Sequence, residues 1–395
     1  MGNNKSSIFK NLEAGFASKS DGELRFSAFI FNLMASPFLV KVSTSIALVA
    51  VKLHLPISGL IKATIFKQFC GGESRSDSEK VIKKLGNHNV KSILDYSIEG
   101  ENHDAQFEST TEEIIKVIQH GKSNDNIPVA CVKITGIGSF QLLEKVNEKS
   151  TLNAQEAASF ETIKTRLDRL CSAAQSNGVP LYIDAEESWI QDTIDELVME
   201  MMLRYNTEKA FVFNTLQMYR WDRLSFFKES LKKAKENGIK LGVKIVRGAY
   251  IEKENDRAEQ KGYRSPIQPS KDATDRDYNT ALQFTIDNLD YIEICAGTHN
   301  EYSSELLTEL MAKKGIANDH PHIYFSQLYG MSDQISFNLA SLGYNVSKYV
   351  PYGPVNSTLP YLIRRAEENT SMAGQVGNEL KLIRKEQKRR KSTAS

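Results

Sequence analysis

Polar and charged residues follow short apolar runs at intervals along the chain, and their types suit a small-molecule site. Lys133 ends one run, Asp184 follows another, and Arg247 and Tyr250 follow a third. A carboxylate, cations and an aromatic ring can together bind a small charged molecule, orient it and exclude water. Any one of these residues alone would more often be a loop hydrogen bonder or a helix cap. Eight run ends with such residues together predict one convergent polar site.

These residues can form one site only if the secondary structure brings the ends of the apolar runs close together. Eight short apolar, β-branched runs occur from residue 90 onward, with stretches between them whose apolar residues are three and four apart. Buried strands that alternate with helices predict a parallel sheet, and eight repeats predict a (β/α)8 barrel with its chemistry at the C-terminal strand ends. The predicted strands are Val90–Leu94, Val129–Ile134, Leu181–Ile183, Ala210–Phe213, Leu241–Val246, Tyr291–Cys295, His322–Phe325 and Val346–Val350.

The predicted barrel occupies residues 89–372 and leaves a segment on each side. Residues 1–88 are predicted to form an N-terminal helical arm, and residues 373–395 a basic, disordered tail. Within the barrel, residues 254–277 are predicted to be a long polar connection. The apolar stretch 38–66 is interrupted by charged residues, which favours helices packed on a core over a membrane-spanning helix and leaves peripheral membrane contact open.

The composition narrows the classes of protein to which the chain can belong. Its 50 Lys and Arg residues against 49 Asp and Glu residues give a net charge of +1, which offers no general electrostatic reason to bind nucleic acid or an acidic membrane surface. Four cysteines without CxxC spacing predict neither a disulfide framework nor a metal site. They favour a reducing compartment, either the bacterial cytoplasm or the matrix side of a mitochondrial membrane.

The helix expected after the last strand carries two adjacent arginines. Asn356 and Ser357 are predicted to cap its N-terminus, and Arg364 and Arg365 lie within it. Guanidinium groups at the rim of a barrel can bind a carboxylate through forked hydrogen bonds, although a solvated helix face explains these two equally well when they are taken alone. Lys133 is predicted to be a third cationic contact or, as a neutral amine, to form a Schiff base.

Nine short strings follow one another along the predicted strands and the loops after them. They are VKITG at 132–136, YIDAEE at 182–187, LQMYR at 216–220, KIVRGAY at 244–250, ATDRDYN at 273–279, AGTHN at 296–300, QLYGM at 327–331, KYVPYGPV at 348–355 and PYLIRRAEEN at 360–369. With these strings the chain resembles flavin-dependent proline dehydrogenase over roughly residues 60–370. It shows no aldehyde dehydrogenase module or DNA-binding segment like those of the long bifunctional relatives, so a stand-alone enzyme is expected.

The resemblance implies a distorted barrel that holds FAD at its mouth, oxidises L-proline to Δ1-pyrroline-5-carboxylate and passes electrons to quinone at a membrane. The residues implied for the substrate are Arg364, Arg365 and Lys133 for its carboxylate, Tyr349, Tyr250 and Leu328 for its ring, and Asp184 near its amine, with Glu99 paired to Arg364. The residues implied for FAD are Ala185, Gln217, Arg247, Gly248, Ala249, Thr298 and His299. Proline held in one orientation by these residues would present a C–H bond to the flavin.

The chain departs from the family pattern at two positions. Many bacterial members have arginine where Lys244 stands, close to the reactive edge of the flavin; Lys244 keeps the charge but lacks the planar fork. With Asp184 and Tyr349 it completes the implied catalytic set. The first-strand string reads DYSIE, where many bacterial members show a leucine-glycine pair before the glutamate, which weakens the assignment of Glu99.

Two other activities would use parts of the same site. A hydroxyproline dehydrogenase would need room at ring carbon C4, where the bulk of Tyr349 favours proline instead. A Schiff-base lyase built on Lys133 belongs to a different class and would not need FAD, since a barrel fold does not determine its function. A non-catalytic proline sensor would keep the pocket without turnover.

Overall fold

The computed structural model of the chain describes residues 7–52, 57–97, 103–371 and 375–393. Eight parallel strands, β1 to β8, close into a barrel in which each strand lies beside the next one in the chain. The predicted (β/α)8 barrel is therefore confirmed. The strands are β1 Val90–Tyr96, β2 Val129–Val132, β3 Leu181–Ile183, β4 Val212–Gln217, β5 Leu241–Val246, β6 Ile292–Gly297, β7 Ile323–Leu328 and β8 Val346–Tyr352.

The strands have the composition of a parallel sheet that is covered on both faces. Every side chain of β2, β4 and β8 is buried, as the unbroken apolar runs predict. Several strands extend beyond those runs, and β4 reaches Gln217, which pairs with Val246 of β5. Hydrogen bonds between neighbouring strands thus continue after the apolar pattern ends, and they place polar side chains at the C-terminal strand ends.

Helices surround and precede the strands, and their ends follow recognisable sequence signals. Ser20 and Glu23 form a reciprocal capping box before the second helix. The helices are α1 Leu12–Gly15, α2 Asp21–Met34, α3 Pro37–Lys52, α4 Ser58–Ile61, α5 Lys67–Phe69, α6 Arg75–Gly86, α7 Asp104–Lys122, α8 Phe140–Asn147, α9 Ala154–Asn177, α10 Ser188–Tyr205, α11 Arg223–Glu236, α12 Ile251–Lys261, α13 Lys271–Asp287, α14 Glu301–Lys313, α15 Asp333–Ser341, α16 Val355–Ser371 and α17 Gln375–Thr393.

The chain divides into two compact units. One consists of Met1–Gly100 with Gln327–Ser395 and contains β1, β8, α1–α6 and α15–α17. The other is Glu101–Ser326, with β2–β6, α7–α14 and the start of β7, whose last residues belong to the first unit. This division differs from the predicted segments, because the first unit combines both ends of the chain with two barrel strands.

Two segments have more helix than predicted. Residues 254–277 were expected to be a polar connection, and this is wrong, since α12 and α13 occupy most of them. Their high polar content reflects solvated helix faces, and Gly262 ends α12 with a φ of 70°. The predicted cap of the helix after β8 is also wrong, because α16 begins at Val355 and therefore includes Asn356 and Ser357.

The expected disordered tail is likewise wrong for residues 375–393, which form α17. Glu386 of this helix is fully buried and accepts hydrogen bonds from Arg389 and Arg390. Arg390 also donates to the backbone carbonyls of Lys19 and Phe16, at 2.8 and 3.0 Å. The basic residues of the C-terminus therefore bind the N-terminal helices, a long-range pairing that charge composition alone could not predict.

A buried charge cluster strengthens the same unit. Lys348 of β8 is fully buried, and its ammonium lies 3.0 Å from Asp333, which also pairs with Lys19 at 3.1 Å. Burial would raise the pKa of Asp333, but Lys19 and Lys348 together lower it to about 2. Burial raises the pKa of Glu379 on α17 to about 7, and Asp333 adds to that rise. Charged side chains from the N-terminal segment, from β8 and α15 of the barrel, and from the C-terminal helix α17 therefore interact with one another.

Among the described residues, no single helix is long and apolar enough to cross a membrane. Taken together, Asp21–Met34 and Phe38–Ile46 reach that length and apolarity, but the axis bends by 94° between them.

Replacement of Arg390 tests how much α17 stabilises the first unit. We expect Arg390→Ala to lower the free energy of unfolding by about 1–3 kcal/mol, because it removes two backbone contacts and leaves buried Glu386 less satisfied. Lys385→Ala is the matched control and should have a smaller effect, since Lys385 is an exposed cation of the same helix that makes no hydrogen bond to Glu386. Urea denaturation of both variants measures the difference. Equal losses would contradict the assigned role of Arg390.

Candidate active site

A buried carboxylate stands between two ammonium groups at the C-terminal ends of three strands. Asp184 follows β3, and its backbone N–H donates to the Val132 carbonyl of β2 at 2.8 Å. Its side chain forms an ion pair with Lys244 of β5 and another, at 3.4 Å, with Lys133 after β2. The structure therefore brings together three of the predicted site residues. Together the three side chains offer a ligand both signs of charge.

The two lysines differ in exposure and so in what they can do. The Lys244 side chain is 8% exposed and contacts Asp184 directly, whereas the Lys133 side chain is 22% exposed. Lys244 is therefore suited to hold Asp184 in place, and Lys133 to reach a ligand.

Glu186 connects the loops after β2 and β3. Its carboxylate accepts hydrogen bonds from the Thr135 hydroxyl and, at 3.0 Å, from the Thr135 backbone N–H. Its own backbone N–H donates to Gln191 at 2.8 Å. Burial raises the pKa of Glu186 to about 7, with a further contribution from Glu187. The sequence placed Glu186 beside the site but assigned it no role; the structure shows that it fixes the loop that carries Asp184.

Helix α12 holds the same loop from the other side. Glu254 is fully buried and accepts hydrogen bonds from the backbone N–H and hydroxyl of Ser188 at 2.7 and 2.5 Å. Lys253 pairs with Glu187, and Arg257 with Glu144. The residues expected to form a polar connection thus form a helix that fixes the start of α10.

Arg247, after β5, is held by three elements. Its guanidinium donates to Asp275 and Thr298, both at 2.6 Å, and to Ser303 at 2.9 Å. It also lies over the ring of Tyr278, 4.3 Å from the centroid. Burial would raise the pKa of Asp275, but hydrogen bonds from Lys271 and Arg247 lower it. Residues 273–279, which contributed only to the family resemblance, therefore orient Arg247.

This arrangement leaves hydrogen-bonding capacity for a cofactor. Three of the five N–H groups of Arg247 are used by these contacts, and the other two have no hydrogen-bond partner among the described residues. Gln217, at the end of β4, is buried, and its side-chain carbonyl has no partner in the same ranges. A fixed cation beside a buried, unsatisfied amide indicates a ligand with anionic and hydrogen-bonding groups.

The remaining predicted cofactor residues lie at neighbouring strand ends. Gly248 has a φ of 120°, and a Cβ added there would lie 2.6 Å from the ring of Tyr219, so only glycine fits. Ala249 is exposed, whereas Ala185 and His299 are half-buried. Tyr250, also half-buried, stands at the N-terminus of α12.

A model of the proline dehydrogenase family matches residues 78–378 of the chain. The chain belongs to the proline dehydrogenase family. Mitochondrial proline dehydrogenase 1 of Dictyostelium discoideum is 34% identical, over 95% of this chain and 74% of the relative. Hydroxyproline dehydrogenase of Xenopus laevis is 30% identical, over 95% of this chain and 88% of the relative. The chain is thus an enzyme of a family that oxidises proline or hydroxyproline.

A solved structure supports the fold. Proline utilization A from Bdellovibrio bacteriovorus superposes with a TM-score of 0.71 at 21% identity, over 93% of this chain. This chain spans 40% of the length of that protein.

The other residues that the family resemblance implies belong to the first unit. Tyr349 of β8 is buried, and its carbonyl accepts a hydrogen bond from the Tyr329 N–H at 2.8 Å. Leu328 ends β7 and packs on the core of this unit. On α16, Arg365 is buried with its guanidinium 5.3 Å from the ring centroid of Tyr361, and Arg364 is half-buried. Glu99 lies outside the described residues.

The raised pKa of Glu186 predicts a pH-dependent stability. The folded state holds this proton more tightly than the unfolded state, so stability falls as pH rises from about 4.5 to about 7. Glu186→Gln stays neutral and can keep both contacts to Thr135. We expect its free energy of unfolding, relative to the native protein, to rise by about 3 kcal/mol between pH 4.5 and pH 8.

Urea denaturation across this pH range measures the difference. Exposed Glu196→Gln is the matched control, and its difference from the native protein should stay constant. A constant difference for Glu186→Gln as well would show that Glu186 has the same pKa in the folded and unfolded protein, and would contradict the predicted shift.

Proposed function

We propose that the chain oxidises L-proline to Δ1-pyrroline-5-carboxylate with FAD as the hydride acceptor and that a membrane quinone receives the electrons. Family membership supports the reaction class, and one observation carries the assignment to this site. It is the Asp184 carboxylate held between Lys133 and Lys244 at the strand ends where barrel enzymes place their chemistry. An amino acid substrate brings one carboxylate and one cationic nitrogen, which matches a cluster that has both signs of charge.

The cofactor residues fit FAD by their chemistry. The unused N–H groups of Arg247 suit anionic or acceptor groups, and the unsatisfied carbonyl of Gln217 suits an N–H donor; a flavin dinucleotide has both. When bound, FAD would supply the acceptor for the hydride that leaves proline. The residues proposed to hold it are Ala185, Gln217, Arg247, Gly248, Ala249, Thr298 and His299.

The chain's own residues would bind and orient the substrate. Lys133, Arg364 and Arg365 are proposed to bind the carboxylate, because forked guanidinium groups and an ammonium fix both of its oxygens. Asp184 would attract the ring nitrogen, and Lys244 would keep Asp184 in place. Tyr349, Tyr250 and Leu328 are proposed to enclose the ring and exclude water, and Glu99 to pair with Arg364.

Hydroxyproline is the second candidate substrate, because a hydroxyproline dehydrogenase is among the relatives. The bulk of Tyr349 near ring carbon C4 favours proline. A Schiff-base lyase is not proposed, because the family model that matches this chain is that of proline dehydrogenase.

We propose a location in the bacterial cytoplasm or, for a eukaryotic source, on the matrix side of the inner mitochondrial membrane. The Dictyostelium relative is a mitochondrial protein. The four cysteines of this chain are buried and form no disulfide bond, which is compatible with a reducing compartment. The near-neutral net charge of the chain gives no electrostatic reason to propose a nucleic-acid partner.

The visible spectrum of the purified protein under argon tests the proposal. Flavin bands are expected to bleach when L-proline is added, and to bleach more slowly with trans-4-hydroxyproline. Asp184→Asn should retain flavin but bleach at least about ten-fold more slowly, because the charge opposite the ring nitrogen is lost. Flavin that stays oxidised, or a protein that FAD cannot reconstitute, would reject the proposed activity.

The carboxylate assignment has its own test. Arg365→Lys should raise KM for proline by about ten-fold or more, because an ammonium cannot make a forked contact, while flavin content stays unchanged. Exposed Arg276→Lys serves as the matched control and should leave KM unaltered. A KM equal to that of the native protein in Arg365→Lys would remove Arg365 from the substrate site.

A further inference from the structure

The β7–α15 turn, residues 329–332, has an unusual backbone. Two of its four residues have positive φ angles, 80° at Gly330 and 50° at Ser332. A Cβ added to Gly330 would lie 2.1 Å from the backbone carbonyl oxygen of Gln68, so this position requires glycine. Ser332 has a side chain, and the left-handed conformation of such a residue persists only where its surroundings hold it. The turn therefore depends on contacts from other elements.

Buried polar side chains from three separate segments supply those contacts. The side-chain amide of Gln68 on α5 donates to the Gly330 carbonyl at 2.8 Å. The ammonium of Lys348 on β8 donates to the next carbonyl of the turn. The backbone N–H of Ser332 donates to the carboxyl group of Glu379 on α17. Glu379 thus holds the residue of the turn whose conformation is strained.

Attachment of α17 to the first unit does not require Glu379. Arg390, eleven residues further along the helix, donates to the backbone carbonyls of Lys19 and Phe16. Leu380 and Ile383 of α17 are buried in the apolar core of the unit. These contacts fix the helix, and the fixed helix presents Glu379 to the turn.

A carboxyl group at position 379 is costly for packing alone. The next residue, Leu380, is buried in the apolar core, so an apolar side chain at 379 would avoid the desolvation of a carboxyl group. Burial raises the pKa of Glu379 to about 7, and the charged groups that face it are Asp333, Lys348 and Lys19. The oxygen that accepts from the turn is what distinguishes Glu379 from an apolar residue here.

The turn is continuous with side chains that the proposed function assigns to the substrate. Leu328 ends β7 immediately before the turn, and the backbone N–H of Tyr329 donates to the Tyr349 carbonyl of β8 at 2.8 Å. Leu328 and Tyr349 both belong to the first unit and are proposed to enclose the ring of proline. A change in the backbone of the turn would therefore change the position of Leu328 relative to Tyr349.

We propose that Glu379 is a positioning residue for substrate binding, through which α17 fixes the β7–α15 turn and keeps Leu328 beside Tyr349. The inference rests on the proposed function, because that function places these two side chains against the ring. Glu379 acts through the Ser332 N–H and does not itself contact the substrate. The residues proposed to hold FAD belong to the second unit, so flavin binding does not depend on this contact.

Steady-state kinetics of the flavin-loaded protein with proline and a soluble dye test this role. Glu379→Ala should raise KM for proline by about five-fold or more and change kcat by less than about two-fold, because contacts made equally in the ground and transition states are lost. Glu379→Gln keeps an oxygen that accepts from Ser332, and its KM should stay within about two-fold of the native value. Glu379→Asp is shorter and should resemble Glu379→Ala, which it replaces if the alanine variant does not fold.

Arg390→Ala is the matched control for lost stability. It removes contacts at the far end of α17, so it should unfold at a lower urea concentration but keep the native KM. A native KM in Glu379→Ala and Glu379→Asp would overturn the inference. So would an equal rise of KM in Glu379→Gln or in Arg390→Ala, because the effect would then not come from the hydrogen bond to Ser332.

Hydrogen–deuterium exchange of the same preparations reports on the turn without any turnover. Peptides that contain Ser332 should exchange about ten-fold or more faster in Glu379→Ala than in the native protein or Glu379→Gln, because the N–H has lost its acceptor. Peptides from β3 in the second unit should be unchanged. Native exchange at Ser332 in Glu379→Ala would refute the role of Glu379 whatever the kinetics. If the native protein reduces no dye with proline, the proposed function is rejected, and exchange still decides whether Glu379 holds the turn.

Discussion

The charge balance around Asp184 is the constraint on which the site depends. A carboxylate buried at the end of a barrel strand is stable only if cations and hydrogen bonds compensate its lost hydration. Lys133 and Lys244 supply that compensation from two other strands, so the three residues require the strand order of the closed barrel. The surrounding loops keep this geometry, because Glu186 ties the loop after β3 to Thr135, and α12 holds the residues that follow.

The same principle organises the first unit, where the charges hold the fold together rather than bind a ligand. Lys348 of β8 has no exposed surface, and burial lowers its pKa, while Asp333 opposes that change. Asp333 in turn holds Lys19 of the N-terminal segment. A buried ion group of this kind adds little net stability over an apolar replacement, but loss of one partner leaves an uncompensated charge. This cluster of charges therefore favours the fold in which the N-terminal and C-terminal segments both pack near β8.

The distribution of charge along the chain also explains why the net charge alone does not predict what its surfaces can bind. Nearly equal numbers of acidic and basic residues argue against general binding to anionic surfaces, yet residues 24–72 have only basic charges. The acids are concentrated elsewhere, many of them in ion pairs on barrel helices, such as Glu108 with Arg166 and Arg169. A local surface can therefore be strongly positive in a chain that is nearly neutral as a whole.

The sequence by itself determined the strand order and the types of residue at the strand ends. An apolar β-branched run that is buried on both faces has few alternatives, so eight such runs sufficed for the barrel, and Lys133, Asp184 and Lys244 followed from their motifs. Only the tertiary structure decided which charges pair. The basic C-terminus appeared to be a solvated tail because Arg390 lies in no local apolar pattern, and its partners Lys19 and Asp21 lie more than 360 residues away. Local patterns report periodicity and propensity, whereas long-range ion pairs depend on which surfaces the folded chain brings together.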